Sequence, residues 1–245
     1  MTENLSSGWV YEVFASIQGE GLYCGQRQTF IRLAGCNLAC AYCDTISSRE
    51  EQPSACRIET SAGIGSFDNI SNPINSDDIL SACKHLGSKV ISITGGEPLM
   101  QQKFLTDLMR KLKQNGFSTH LETNGTLHIE LQSVIPYTDV IAMDIKLPST
   151  SGIDCWDAHT RFLKVASQTS VFVKAVAGQE TTYEDITRCA DLIAAVNSDI
   201  PFIIQPMTSE IKVDGIHLVK LQEAALDKLN DVRVIPQCHK QLGLL

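Results

Sequence analysis

Short runs of β-branched and other apolar residues alternate with longer stretches of helical periodicity along most of the chain. The apolar runs have the length of buried strands, and they end at glycine or polar residues. The strands predicted from them are 29–33, 89–94, 118–122, 140–144, 170–175 and 201–205. The helices predicted between them are 99–114, 156–165, 183–196 and 216–229. The pattern therefore predicts an α/β protein.

Strands that alternate with helices are expected to be parallel, because a parallel connection needs a crossover of about a dozen residues or more. About six βα units fit the sequence, which predicts a partial (βα)6 barrel resembling the TIM barrel. Polar and glycine-rich segments follow the predicted strands at 36–43, 94–98, 122–125, 144–149 and 205–206. In a βα barrel the carboxyl ends of the strands carry the active site, so we expect these segments to meet at one rim.

The segment 47–75 interrupts the alternation of strands and helices. It is rich in serine, asparagine, glycine and glutamate, and it shows no clear periodicity. A long irregular stretch inside a compact domain is typical of a lid, a partner surface or a disordered loop. We expect a surface insertion, partly ordered by its few apolar residues, within a single domain that spans residues 1–245.

Composition and charge narrow the class of protein. The chain has 245 residues, a net charge of −8 and an isoelectric point near 5.2, whereas nucleic-acid-binding proteins usually carry a basic surface. No apolar run approaches the roughly 18 residues that span a bilayer, so no membrane attachment is expected. The N-terminus lacks the basic and apolar parts of a signal peptide. These features favour a cytoplasmic protein without a nucleic-acid partner.

Three cysteines stand close together directly after the first predicted strand. Cys36, Cys40 and Cys43 form a C-x3-C-x2-C motif, whereas the six other cysteines are scattered and are expected to be free packing residues. Thiolates suit both zinc and iron–sulfur centres. An ordinary four-iron cluster takes four thiolates, so three would leave one iron open. The alternative is half of a zinc site that His85 or His239 completes.

A second motif, Thr94-Gly-Gly-Glu-Pro98, follows the next predicted strand. Gly95 and Gly96 allow a ligand close to the backbone, and Glu97 supplies an anion suited to an ammonium group. Pro98 suits the first turn of the helix that follows. Together with the cysteine motif, this segment resembles the radical S-adenosylmethionine (SAM) superfamily. The resemblance implies a partial barrel of the radical SAM type, a [4Fe-4S] cluster on the three cysteines, and SAM on the fourth iron.

Further motifs are similar to those of the 7-carboxy-7-deazaguanine synthase family within that superfamily. They are 17–21 (IQGEG), 30–33 (FIRL), 43–45 (CDT), 122–125 (ETNG), 144–146 (DIK) and 235–240 (IPQCHK). The similarity extends over most of the chain, apart from 47–75. It implies a lyase that contracts the ring of 6-carboxy-5,6,7,8-tetrahydropterin to 7-carboxy-7-deazaguanine and ammonia, in the biosynthesis of queuosine and other 7-deazapurines.

The same resemblance implies roles for individual residues, with the cluster and SAM as the catalytic groups and no catalytic side chain assigned. Cys36, Cys40 and Cys43 hold the cluster, and Thr45 holds Mg²⁺, as suits a hard oxygen donor. SAM is expected to contact Gly96, Glu97, Glu122, Asn124, Lys146, Pro148, Ser149, Gln205 and Pro206. The pterin is expected to contact Ile17, Gln18, Gly19, Glu20, Arg32, Thr94, His239 and Leu245.

The resemblance also implies partners, namely flavodoxin or ferredoxin as the electron donor and a second copy of the chain in a homodimer. Two alternative functions remain at this point. One is an activase of glycyl-radical enzymes, which shares the cysteine spacing but not the motif 17–21 or the Gln-x-His-Lys ending. The other is a structural zinc or iron–sulfur module without catalysis, and a brown protein would argue against its zinc form.

Overall fold

The computed structural model describes residues 6–209 and 212–244, which contain twelve strands and eight α-helices. The strands are β1 (Ser7–Gly8), β2 (Val10–Ile17), β3 (Arg27–Leu33), β4 (Ala55–Glu59), β5 (Phe67–Ser71), β6 (Ile74–Asn75), β7 (Val90–Gly95), β8 (Ser118–Thr123), β9 (Val140–Ile145), β10 (Ser170–Ala177), β11 (Phe202–Pro206) and β12 (Val232–Val234). The helices are α1 (Ser76–Leu86), α2 (Gln102–Gln114), α3 (His128–Val134), α4 (Pro148–Ser151), α5 (Trp156–Ala166), α6 (Tyr183–Ala194), α7 (Gly215–Leu226) and α8 (Cys238–Gln241).

Ten strands form one sheet, in the order β12-β11-β10-β9-β8-β7-β3-β2-β4-β5. The seven strands from β12 to β3 are parallel to one another. Each successive pair of these strands is joined through at least one helix. Within the described residues the outermost strands, β12 and β5, do not pair with each other, so the sheet is open rather than closed. The predicted α/β fold with a mostly parallel sheet is confirmed.

The helices of seven or more residues form with one apolar face each, whereas the four-residue helices α4 and α8 have no such face. In α2 the buried residues are Phe104, Leu105, Leu108, Met109 and Leu112, which recur at the spacing of one helical face. No helix in the described part of the chain is both long enough and apolar enough to cross a membrane.

The inner face of the sheet is more polar than the face under the helices. In β7, Ile91 and Ile93 are buried in the core, whereas Thr94 lines a pocket on the other face. Thr94 is also the register neighbour of Arg32 on β3. Two predicted pterin contacts therefore stand side by side on adjacent strands.

The structure contains three parts of the sheet that the sequence pattern does not predict. One is β2, which pairs antiparallel with β3. Another is the three-residue strand β12, which pairs parallel with β11. The third lies in 47–75, where β4 pairs with β2 and β5 pairs with β4, so this segment extends the sheet. Cys56 and Glu59 of β4 are buried, and Glu59 accepts a hydrogen bond from the Ala15 amide at 2.9 Å. The pattern misses β5 because most of that edge strand is exposed and few of its residues are apolar.

Candidate active site

A pocket of about 290 Å³ lies at the carboxyl ends of the parallel strands. The loop after β2, the cysteine loop after β3 and the segment after β12 contribute to its wall. The predicted site residues that line it are Ile17, Gln18, Gly19, Glu20, Arg32, Cys36, Cys40, Cys43, Thr45, Thr94, Gly96, Glu122, Asn124, Lys146, Gln205 and His239. Residues predicted for the cluster, for SAM and for the pterin thus share one pocket.

Some of the predicted SAM contacts do not line this pocket. They are Glu97, Pro148, Ser149 and Pro206. Pro148 and Ser149 begin α4, which supports the cysteine loop because the Ser151 carbonyl accepts a hydrogen bond from the Ala41 amide at 3.1 Å. Their contact with SAM stays a prediction. Leu245 lies outside the described residues.

Cys36, Cys40 and Cys43 all line the pocket and are partly exposed. Burial raises the pKa of the Cys36 and Cys40 thiols, and binding of iron would offset this because the thiolate is the ligating form. Arg49 donates to the Cys40 carbonyl at 2.6 Å and fixes the middle of the loop. Within residues 6–209 and 212–244, no three histidine, cysteine or acidic side chains stand close enough to hold one metal ion. A cluster places each thiolate on a different iron, so this loop fits a cluster better than a single zinc ion.

The turn after β7 packs directly against the cysteine loop. Gly95 has a φ of +138°, a conformation that favours glycine. A Cβ atom on Gly96 would lie 2.0 Å from the Gly35 oxygen and 2.9 Å from Cys36 Cβ. The Gly96 amide donates to the Leu33 carbonyl at 3.1 Å. The two motifs seen in the sequence therefore form one backbone cradle, which we define as Gly95, Gly96 and the adjoining Gly35.

Glu97 is fully buried beneath this cradle, and the protein itself holds its carboxylate. It accepts hydrogen bonds from the amides of Leu99 at 3.1 Å and Asn124 at 2.7 Å, and from the Thr123 hydroxyl at 2.9 and 3.0 Å. Burial raises its pKa to about 7, although these hydrogen bonds act in the opposite direction. Glu97 thus links the ends of β7 and β8 through hydrogen bonds within the protein. The sequence predicts a direct contact between Glu97 and an ammonium group, and that contact stays a prediction.

Four buried polar atoms of the pocket residues have no hydrogen-bond partner within the described chain. They are Asp144 Oδ1, Gln205 Oε1, Arg49 Nε and the Tyr42 hydroxyl. Buried polar groups are normally satisfied, so these atoms indicate a polar ligand or ordered water. Lys146 adds a buried cation whose Nζ lies 2.9 Å from Asp144 Oδ2. A thiol-lined loop, a backbone cradle and unsatisfied polar atoms together fit a cluster and a zwitterion such as SAM.

The loop after β2 brings the predicted pterin contacts into the same pocket. Gln18 Nε2 donates to Glu122 Oε1 at 2.8 Å, which links a predicted pterin contact to a predicted SAM contact. The Cys238 amide donates to the Gly19 carbonyl at 2.9 Å, and the His239 ring occupies the space that a Gly19 side chain would need. His239 is therefore a pocket residue and not a solvated histidine of the chain end.

Sequence reasoning assigned no role to several charged or amide residues of the pocket. They are Asp44, Asp144, Lys174, Gln237 and Lys240. Four of them lie within the motifs on which the family resemblance depends, but Lys174 does not. Lys174 could have been found from the sequence because it is a lysine inside the apolar strand β10. A charged residue in such a strand is unusual unless it is paired.

Comparison with known proteins identifies the family. The profile of the Radical SAM superfamily matches residues 30–204. A 7-carboxy-7-deazaguanine synthase of Geobacter sulfurreducens is 44% identical over 244 residues, with 96% of each chain covered. One of Methanopyrus kandleri is 34% identical, with 96% of this chain and 94% of its own length covered. The chain belongs to the 7-carboxy-7-deazaguanine synthase family.

A solved structure of the family agrees with this assignment. QueE from Escherichia coli superposes with a TM-score of 0.65 and 25% identity, with 95% of each chain covered. The resemblance drawn from the cysteine, glycine and 17–21 motifs is confirmed, and so is the radical SAM enzyme class. As in its superfamily, the cofactors are a [4Fe-4S] cluster and SAM.

The contact between Gly19 and His239 leads to a first prediction. A Cβ atom on Gly19 would lie 2.0 Å from His239 Nδ1, so Gly19→Ala must displace the histidine. We expect the KM for the pterin to rise about 10-fold with a smaller change in kcat, because a residue predicted to contact the pterin is shifted. Steady-state kinetics with Gly19→Ala, His239→Ala and the double variant check this. A double variant much worse than His239→Ala alone would show that Gly19 does not act through the histidine.

Proposed function

We propose that this protein converts 6-carboxy-5,6,7,8-tetrahydropterin to 7-carboxy-7-deazaguanine and ammonia. The observation that carries the proposal is the shared pocket, in which the cysteine loop and the cradle adjoin the pterin loop, defined as residues 17–20. A radical must form next to the atom that it attacks, so cofactor and substrate residues are needed in one cavity. The synthase names of the relatives support the same reaction.

Cys36, Cys40 and Cys43 would hold the cluster. When bound, the cluster and SAM would supply the radical chemistry that starts the reaction at C6 of the pterin. The protein positions the reactants. The cradle lets SAM approach the backbone, and Lys146 and Asp144 offer a cation and an anion on one face of the sheet for its carboxylate and ammonium groups. Among the further SAM contacts we propose Glu122, Asn124 and Gln205, with Glu97 supporting them from below.

The pterin would bind between the pterin loop and the ends of β3 and β7. Arg32 Nε donates to Glu12 at 2.9 Å, which fixes the guanidinium for the pterin carboxylate or ring carbonyl. Thr94 stands beside it on β7. Glu20 would accept hydrogen bonds from the aminopyrimidine edge, and His239 would close the pocket from the segment after β12.

We also propose Thr45 as a ligand of Mg²⁺. Its hydroxyl lies in the pocket wall, 3.1 Å from Asp44 Oδ1, and Mg²⁺ prefers oxygen ligands with several retained waters. Thr45 would hold the ion at the pocket wall beside the cysteine loop, and the ion would supply positive charge for the pterin carboxylate.

The partners and the location follow from the family and stay proposals. A flavodoxin or ferredoxin would supply the electron, and the protein would act as a homodimer in the cytoplasm. The relatives named above support neither a glycyl-radical activase nor a structural metal module.

The experiment that tests the function is anaerobic reconstitution with iron and sulfide, followed by an assay with the tetrahydropterin, SAM, Mg²⁺ and a reductant. We expect 7-carboxy-7-deazaguanine and ammonia in equal amounts. The same assay without SAM is the control. A protein with an intact cluster that makes no deazaguanine would contradict the proposal.

A further inference from the structure

Lys174 places a buried positive charge in the wall of the pocket. It is the fifth residue of β10 (SVFVKAVA), and its side chain is 13% exposed. Burial of an ammonium group is costly unless anions pair with it. The packing of β10 does not require a charged side chain at this position. The reason for a lysine here must therefore lie in the groups that its ammonium group contacts.

Two carboxylates from different parts of the fold meet at the ammonium group of Lys174. Asp144 is its register neighbour on β9, with Nζ 3.4 Å from Oδ2. Glu20 of the pterin loop accepts a hydrogen bond from the same Nζ. Asp144 also pairs with Lys146, a proposed SAM contact. Lys174 thus connects the part of the pocket proposed for SAM with the part proposed for the pterin.

Glu20 is held through both of its carboxylate oxygens. Lys174 donates to Oε2, and Gln237 Nε2 donates to Oε1 at 2.6 Å. Burial disfavours the ionised form of Glu20, but the charge and hydrogen bond of Lys174 lower its pKa below the ordinary value. A carboxylate has about four lone-pair sites, so two remain for a ligand. These contacts therefore fix the orientation of the Glu20 carboxylate and favour its ionised form.

We infer that Lys174 is a positioning residue for the pterin, because it holds Glu20 ready to accept hydrogen bonds from N3 and the 2-amino group of the aminopyrimidine ring. Both groups of the ring are donors, and the ionised carboxylate offers an acceptor to each. The inference rests on the proposed function, which makes the pterin the ligand of Glu20. Lys174 itself does not touch the ring and acts through the carboxylate.

The loss of Lys174 would change the protonation of Glu20. The charged and titratable groups around Glu20 are Lys174, Asp144, Cys24, and, beyond Gln237, Asp44 and Lys240. With Lys174 removed, Asp144 is the nearest remaining charge named among the causes of the Glu20 shift, and it raises the pKa, as burial does. A protonated Glu20 has fewer acceptor sites for the two ring donors. Binding should therefore improve again as the pH rises and the carboxyl group ionises.

The test measures pterin binding to Lys174→Met by calorimetry on the anaerobic holoenzyme with SAM and without reductant, so that no turnover occurs. We expect the Kd at pH 7 to rise about 50-fold, the order of one charge-assisted hydrogen bond. We expect this loss to shrink as the pH rises toward 9, because a higher pH favours the ionised carboxyl group of Glu20. Lys174→Arg keeps the charge and should bind within about 5-fold of the wild type.

Lys113→Met is the matched control, since Lys113 pairs with Asp139 at 2.6 Å and does not line the pocket. Its pterin Kd should equal that of the wild type, and SAM should bind Lys174→Met nearly as tightly as it binds the wild type. Three results would each overturn the inference: an unchanged pterin Kd in Lys174→Met, a loss that does not vary between pH 7 and 9, or an equal loss of SAM and pterin affinity. If Lys174→Met does not fold, Lys174→Gln is judged by the same criteria. Failure of the wild type to bind the pterin would contradict the proposed function instead.

Discussion

Cys40→Ser is expected to abolish turnover, with activity at least about 1,000-fold below that of the wild type, because the radical chemistry belongs to the cluster. Cys40 is the second of the three cysteines in the pocket wall. The substitution exchanges its thiolate, a soft ligand, for a hydroxyl group, which is a hard ligand. The two remaining thiols cannot hold a four-iron cluster securely. Iron and sulfide content, absorbance near about 400 nm and deazaguanine formation after anaerobic reconstitution measure the effect.

Cys83→Ala provides the matched control for the cysteine loop. Cys83 is fully buried on α1 and does not line the pocket. Its loss should leave iron content and activity unchanged and lower the free energy of unfolding by about 1 kcal/mol, through a small cavity. Full cluster content and normal turnover in Cys40→Ser would show that the cysteine loop is not the cluster site.

Gly96→Ala is expected to reduce SAM affinity and turnover by about 100-fold or more, because displacements of about 1 Å at a positioned site have effects of this size. The new Cβ atom would lie 2.0 Å from the Gly35 oxygen, which is backbone and cannot rotate away. Gly96 must therefore move away from Gly35 within the cradle and from the adjoining Cys36. We also expect the free energy of unfolding to fall by about 2 kcal/mol, as is common for overpacking.

Gly215→Ala is the control for a glycine replaced without a clash. Gly215 is the first residue of α7, and nothing lies within 4 Å of the position that its Cβ atom would take. SAM binding by calorimetry and thermal unfolding are compared for the two variants, and Gly215→Ala should match or exceed the wild type in stability. If Gly96→Ala bound SAM normally, the cradle would have no part in the SAM site.

Six of the seven consecutive parallel strands, all except the three-residue β12, were predictable because each is a short apolar run that ends in a glycine or polar motif. Thr94–Pro98 is an example, since β7 ends at Gly95 and the motif forms the cradle. β2 and β5 were harder to predict for different reasons. β2 lies outside the βα alternation and pairs antiparallel with β3, while β5 is an exposed edge strand with a weak apolar pattern.

The pocket was less predictable than the fold, because its geometry depends on residues far apart in sequence. Glu97 was predicted to contact SAM. The structure shows it buried, with hydrogen bonds from three groups of the protein, and its contact with SAM stays a prediction. The partnership of Lys174, Glu20 and Gln237 joins positions 20, 174 and 237. No local spacing encodes such a partnership, which exists only once the sheet and the last segment are in place.

The wall of the pocket runs from Phe14 to Lys240, so nearly the whole chain must be synthesised before the cavity exists. During synthesis the cysteine loop at 36–43 emerges well before Gln237 and His239. Non-local contacts of this kind form late in folding. We expect iron delivery to follow the completion of folding. The cluster would then be inserted into a pocket whose charged side chains are already in place.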